Sequence, residues 1–131
     1  MITFHLDSHS GVPAYLQIVQ QVRHAVSLGV LRAGDQLPTV KEVVGTLAIN
    51  PNTVLKAYRE LDRAGVVEAR RGQGTFVAQS VEGPSERDYR PLQTELAEWL
   101  TRARAAGLDD DAIRALVAAT LRTQLAVRAV A

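Results

Sequence analysis

Thr39 to Val77 reads TVKEVVGTLAINPNTVLKAYRELDRAGVVEARRGQGTFV. Thr39 and Glu42 have the spacing of a capping box, in which the hydroxyl and the carboxylate each satisfy a backbone N–H of the first turn. The helix they open runs to about Leu47, and Ala48-Ile49 is a turn. Asn50 is an N-cap and Pro51 a first helical residue, so a second helix starts abruptly and continues to Ala64, where Gly65 stops it. Val66–Ala69 and Thr75–Ala78 are β-prone runs flanking Arg70-Arg71-Gly72-Gln73-Gly74, a hairpin with a basic, permissive tip. Two short amphipathic helices, a tight turn and a cationic hairpin, in that order, predict a winged helix-turn-helix, whose usual substrate is duplex DNA.

Working outward, residues 2–6 alternate apolar and polar as a short edge strand does. Ser8–Val12 is a turn, and Pro13 suits the start of a helix running from Ala14 to Leu28, with Tyr15, Ile18, Val19, Val22, Ala25 and Val26 on one face. Gly29 ends it. Leu31–Pro38 connects, turning at Gly34 and extended before Pro38. On the other side, Ser80–Asp88 is polar and carries adjacent Gly and Pro, which predicts a linker. A helix is expected from about Pro91 to Ala106, stopped by Gly107. A last one is capped by Asp109, with Leu108 and Ile113 spaced as a hydrophobic staple. The expected organisation is a winged helix-turn-helix domain over 1–79, a linker over 80–90 and a two-helix dimerisation region over 91–131. The fold class is mainly α with a small β-wing.

The length of 131 residues fits one domain, or one domain with an appendage. There is no Cys, which excludes disulfides, thiolate zinc sites and cysteine nucleophiles. The N-terminus lacks a basic segment followed by an apolar run, and no stretch approaches the ~20 apolar residues of a membrane span. A cytoplasmic protein without a membrane partner is expected. Net charge is +1, a weak signal until it is divided. Residues 1–80 carry eight Lys or Arg against six acids, and residues 81–131 carry seven against eight. Charge alone would not suggest nucleic acid; the local pattern does.

On the second helix Val54, Ala57, Tyr58 and Leu61 form the stripe expected to be buried. Asn52, Thr53, Lys56, Arg59 and Arg63 lie outside it. Any one of these is explained as a solvated helix position. Their clustering after a sharp N-cap, in the slot where recognition helices carry base contacts, argues for readout. Asn reaches an adenine edge twice, Thr meets a phosphate or a thymine methyl, and Lys reaches guanine or phosphate. Thr39 and Lys41 open the preceding helix, which crosses the DNA backbone in this geometry, and Asn50 caps the reading helix. Arg70 and Arg71 flank the hairpin tip, where Gly72 and Gly74 allow close approach of a backbone. Arg63, near its helix end, is a favourable charge at the dipole.

Residues 13–77 resemble the DNA-binding domain of the GntR family of bacterial transcription regulators, through PAYLQI, LRAGDQLPTVKE, NPNTVLKAYREL and RRGQGTFV. The resemblance covers about half the chain, with four motifs in order. About fifty residues remain after it, enough for two helices and too few for the larger C-terminal domains of other subfamilies. The short tail and NPNT together resemble the YtrA-like subfamily, which implies a two-helix dimerisation tail and regulation of an adjacent transporter operon. Lys41, Asn52, Thr53, Lys56, Arg71 and Gly74 match family DNA-contacting positions in role. Many members carry Arg where this chain has Lys41, Pro51 and Leu55, so their operator sequences do not transfer.

Two helices cannot by themselves bury Leu92, Leu96, Trp99, Leu100, Ile113, Leu116, Val117 and Leu121. Packing against symmetry mates does so, and a two-fold dimer predicts an inverted-repeat operator read as a homodimer, by a regulator expected to repress. The alternatives are a sensor with a small-molecule pocket between the domains, and a winged helix that docks RNA or protein; a basic wing is superfluous for the last. His5, His9 and His24 show no metal-ligand spacing, so no metal or other cofactor is expected. No Ser, His and acid are arranged for nucleophilic catalysis and no phosphate loop opens a helix, so no enzyme is expected.

Overall fold

The computed structural model describes residues 2–84 and 86–130; Met1, Ser85 of the expected linker and Ala131 at the end of the expected dimerisation region lie outside them. The elements are α1 (Ala14–Ser27), α2 (Val40–Leu47), α3 (Pro51–Arg63), β1 (Val67–Arg70), β2 (Gly74–Val77), α4 (Glu86–Ala105) and α5 (Asp110–Val130). They divide into one unit up to Tyr89 and a second from Arg90. The mainly helical architecture with a small β-wing agrees with the sequence.

In the first unit α1, α2 and α3 surround one aliphatic core. Ile18, Val22, Val54, Leu61, Val67 and Val77 are fully buried at its centre. The α3 stripe is the one its spacing predicts: Val54, Ala57, Tyr58 and Leu61 are all buried. α1 and α3 stop alike. At α3, Gly65 N–H donates to the Asp62 carbonyl at 3.0 Å and Val66 N–H to the Leu61 carbonyl at 2.9 Å. That Schellman arrangement needs the left-handed backbone Gly65 supplies at φ 77°.

Residues 2–6 are not a strand, contrary to the alternation reading. The apolar side does face the core, where Phe4 is buried. What replaces the neighbouring strand is a pair of glutamines on α1. Gln21 Oε1 accepts from His5 N–H at 3.0 Å while Gln21 Nε2 donates to the His5 carbonyl at 2.6 Å. Gln17 does the same for Asp7 at 2.8 and 2.9 Å. A side-chain amide carries the same donor and acceptor as a peptide, so the backbone of His5 and Asp7 is satisfied without a ladder.

The wing starts and ends one residue off the expected runs. Val67 pairs with Val77 and Arg70 with Gly74, leaving Arg71-Gly72-Gln73 as the loop. Gln73 N–H donates to the Arg70 carbonyl at 2.9 Å, with Gly72 at φ 76° in the third position of a type II turn. The connector before Pro38 lies along the outer side of β2. Leu37 N–H donates to Thr75 at 2.8 Å, Val77 N–H to Asp35 at 2.7 Å and Gly34 N–H to Val77 at 2.9 Å. The wing is therefore backed by a third extended segment.

Helix α4 begins at Glu86, inside the stretch expected to be linker, and carries on into the second unit with Pro91 inside it. Proline has no N–H, so the helical bond from position 91 to the Arg87 carbonyl cannot form. The helix expected from about Pro91 starts five residues earlier, ahead of its first apolar position, Leu92. Asp109 caps α5 as expected, accepting from Ala112 N–H at 2.8 Å. Of this unit's described apolar side chains, only Ala103 and Ile113 are buried.

Candidate nucleic-acid interface

The helix-turn-helix is held at three points. At its start, Thr39 Oγ1 accepts from Glu42 N–H at 3.1 Å, and Glu42 Oε1 accepts from Thr39 N–H at 3.4 Å and from its hydroxyl at 3.0 Å. At the turn, α2 closes on Ala48 in the left-handed conformation, φ 54° and ψ 45°, a rare state for a residue with a Cβ. At the start of α3, Asn50 Oδ1 accepts from Asn52 N–H at 2.8 Å and the Asn50 carbonyl from Thr53 N–H at 3.0 Å.

Tyr58 ties the two helices together. Its buried hydroxyl donates to the Pro38 carbonyl at 2.6 Å, one residue before the α2 cap. Burial, and secondarily the Glu42 carboxylate, raise this phenol well above the ordinary value, so it stays protonated and keeps donating. The start of α2 is thereby fixed against α3.

The expected contact residues take distinct places around this frame. Lys41 is exposed in the first turn of α2; Asn52, Lys56 and Arg59 are exposed on α3, while Thr53 is half-buried. The side chains of Thr39 and Asn50 are committed to capping, so what they offer outward is position rather than a free donor. Arg71 is exposed in the hairpin loop, beside Gly72. Arg70 is different: its guanidinium stacks 4.2 Å from the Phe76 ring centroid and lies 3.8 Å from the Glu68 carboxylate. It braces the wing face while its neighbour projects. Gly74 is favoured by its backbone, which lies at φ 126° where L side chains are strained; the nearest atom to a Cβ there is the movable end of Gln36, at 2.7 Å. Gln36 in turn donates to the Gln73 carbonyl at 3.2 Å, pinning the loop from below.

The cations facing outward are not neutralised internally. Glu60 pairs with Arg63 at 3.4 Å and Glu68 with Arg70. Lys41, Lys56, Arg59 and Arg71 have no carboxylate partner among the described residues. Sequence reasoning missed the supporting roles of Gln36 and Phe76, because each acts across the fold on a residue of the wing. Among the described residues no group of three His, Cys, Asp or Glu is placed to hold a metal ion, and no helix is long and apolar enough to cross a membrane.

A capped two-helix unit, a basic hairpin behind it and unpaired cations on one frame define a winged helix-turn-helix. The chain matches the bacterial regulatory proteins, gntR family, over residues 14–77. It is 35% identical to the transcriptional repressor YtrA of Bacillus subtilis (strain 168) over 105 residues, 79% of this chain and 81% of that protein. This chain belongs to the GntR family and sits with its YtrA-like members. Among solved structures it is similar to a transcriptional antiterminator from Listeria monocytogenes EGD-e, with TM-score 0.60, 32% identity and coverage of 91% of this chain and 90% of that one. It is also similar to AraR(DBD) in complex with operator ORR3, with TM-score 0.50 and 26% identity, over 59% of this chain and 93% of that one.

Proposed function

We propose that this protein is a transcriptional repressor that binds an inverted-repeat operator as a homodimer, in the cytoplasm with the chromosome. The N-terminal half of α3 enters the major groove, where Asn52, Thr53 and Lys56 meet base edges and flanking phosphates. Lys41 and Arg59 anchor on the backbone, and the Arg71–Gly72 loop reaches the neighbouring groove. The observation that carries this reading is the exposed first turn of α3, rigidly capped and tied to α2, beside a basic loop whose cation has no internal partner. A relative named as a repressor and a similar domain solved on operator DNA support it.

Dimerisation through 91–131 is supported by surface chemistry. Leu92 is 63% exposed, Leu96 53%, Leu121 56% and Leu125 58%, with Leu116 and Val117 also exposed. Trp99 and Leu100 are half-buried. So many exposed large apolar side chains on two helices favour a protein contact, and a two-fold mate buries them without any new element. In vitro selection from random duplexes tests the proposal. The expected product is a two-fold symmetric consensus with half-site centres about one helical turn, ~34 Å, apart. A single unpaired half-site, or no enrichment, contradicts it.

A further inference from the structure

Lys56 leaves α3 on its exposed side, one turn after Asn52, and its ammonium sits over an aromatic ring. Nζ lies 4.1 Å from the centroid of the Tyr15 ring. Tyr15 is the second residue of α1, half-buried and packed against the core. Two features make the seat specific. Glu60, one turn further along α3 and the natural helical partner of Lys56, is engaged by Arg63 at 3.4 Å. The ring is anchored by its packing, whereas a free lysine wanders over four side-chain torsions. A cation over a ring face is attracted by the ring quadrupole without losing its charge, and its outward N–H groups stay available to an anion.

We infer that Tyr15 is a positioning residue for operator binding: its ring holds the Lys56 ammonium ready for a phosphate, so the first turn of α1 belongs to the DNA-binding surface. The inference rests on the DNA-binding reading above. It gives the aromatic residue of the PAYLQI segment a role beyond the core, and it separates two contributions. Lys56 supplies the charge; Tyr15 supplies its location.

The test is a double-mutant cycle on the full-length protein and its selected operator, with stability measured alongside. Tyr15→Leu keeps apolar bulk but removes the ring, and Tyr15→Phe keeps the ring. Tyr15→Leu is expected to weaken operator binding about two- to fivefold while leaving the salt slope unchanged. Tyr15→Phe should bind as the wild type does. Lys56→Met should weaken binding further and reduce the salt slope by about 0.9 per protomer. In the Lys56→Met background, Tyr15→Leu should have no additional effect. In the DNA-free protein the Lys56 ε-methylene protons should show an upfield ring-current shift, kept in Tyr15→Phe and lost in Tyr15→Leu. Additive effects in the cycle, or a Tyr15→Phe protein as weak as Tyr15→Leu, would overturn the inference alone. So would an unshifted Lys56 methylene in the wild type. A wild-type chain that selects no duplex would defeat the DNA-binding reading together with the inference.

Discussion

Two substitutions three positions apart in the helix-turn-helix should both stabilise the protein, although they exchange the same two residues in opposite senses. Ala48 closes α2 at φ 54°, and Gly45 sits inside the same helix, where a Cβ would meet nothing within 4 Å. Holding an L-residue in the left-handed region costs about 1–2 kcal/mol. Ala48→Gly removes that strain, and the freer unfolded chain takes back about 0.4–1 kcal/mol. The Ala48 methyl is exposed, so no burial is lost. The net gain is about 0.5–1 kcal/mol. Gly45→Ala gains a similar amount, about 0.5–1 kcal/mol, because glycine in a helix interior is disfavoured and the new methyl is unobstructed. Each variant should raise Tm by roughly 2–6 °C in a domain of this size. Thermal melts followed by far-UV circular dichroism read both. A loss of stability in Ala48→Gly would refute the left-handed closure of α2, and a loss in Gly45→Ala would refute the open space beside it.

Tyr58→Phe leaves the buried Pro38 carbonyl without its donor and should cost about 1–3 kcal/mol in urea unfolding; an unchanged midpoint would remove the tie between the helices. Because the folded phenol is raised, its stabilising contribution is complete below the ordinary value of about 10 and falls as pH rises beyond it. Tyr58→Phe should therefore lose less stability than the wild type between pH 9 and pH 11, roughly the window where an unfolded phenol titrates. Light scattering should give a dimeric mass for the full chain and a monomeric one for the Leu116→Glu/Leu121→Glu double variant; a monomeric wild type would remove the proposed role of 91–131. If Lys41, Lys56, Arg59 and Arg71 of both protomers each meet one phosphate, operator affinity should fall with a log–log salt slope of about −7, on the order of ten-thousandfold between 50 and 200 mM salt. A flat titration would contradict that count.

What the sequence made legible were the features written in local residue chemistry. The Thr39–Glu42 box, the Asn50-Pro51 start, the Gly65 stop and the buried stripe of α3 each depend on neighbours within a turn, and each is found where its motif lies. The failures share another cause. The alternation of residues 2–6 identified the buried side, but His5 and the following Asp7 bond Gln21 and Gln17, sixteen and ten residues away, and no strand rule anticipates a glutamine. The Gly34–Leu37 segment was expected to be extended only because Pro38 forbids helix, and its pairing with β2 belongs to the tertiary fold. The apolar spacing from Leu92 onward marked α4, yet the polar residues from Glu86 are helical before it. The same limit affects the interface. Exposure of Arg71 follows from its position in the loop, but nothing local separates it from Arg70, which the Phe76 ring and Glu68 hold against the wing.

The most direct measurement compares Asn52→Ala with Lys41→Ala and Arg71→Ala on the selected operator and on random duplex of equal length. Asn52 stands in the first exposed turn after the Asn50 cap, and its amide can satisfy the donor and acceptor of one adenine together. Asn52→Ala should cost about 1–3 kcal/mol on the operator, little on random DNA, and relax the preference at one base pair in each half-site. Lys41→Ala and Arg71→Ala should weaken both duplexes by similar factors and lower the salt slope. If Asn52→Ala weakened the operator and random DNA equally, α3 would not be reading bases through Asn52, and the assignment of the recognition surface would be wrong.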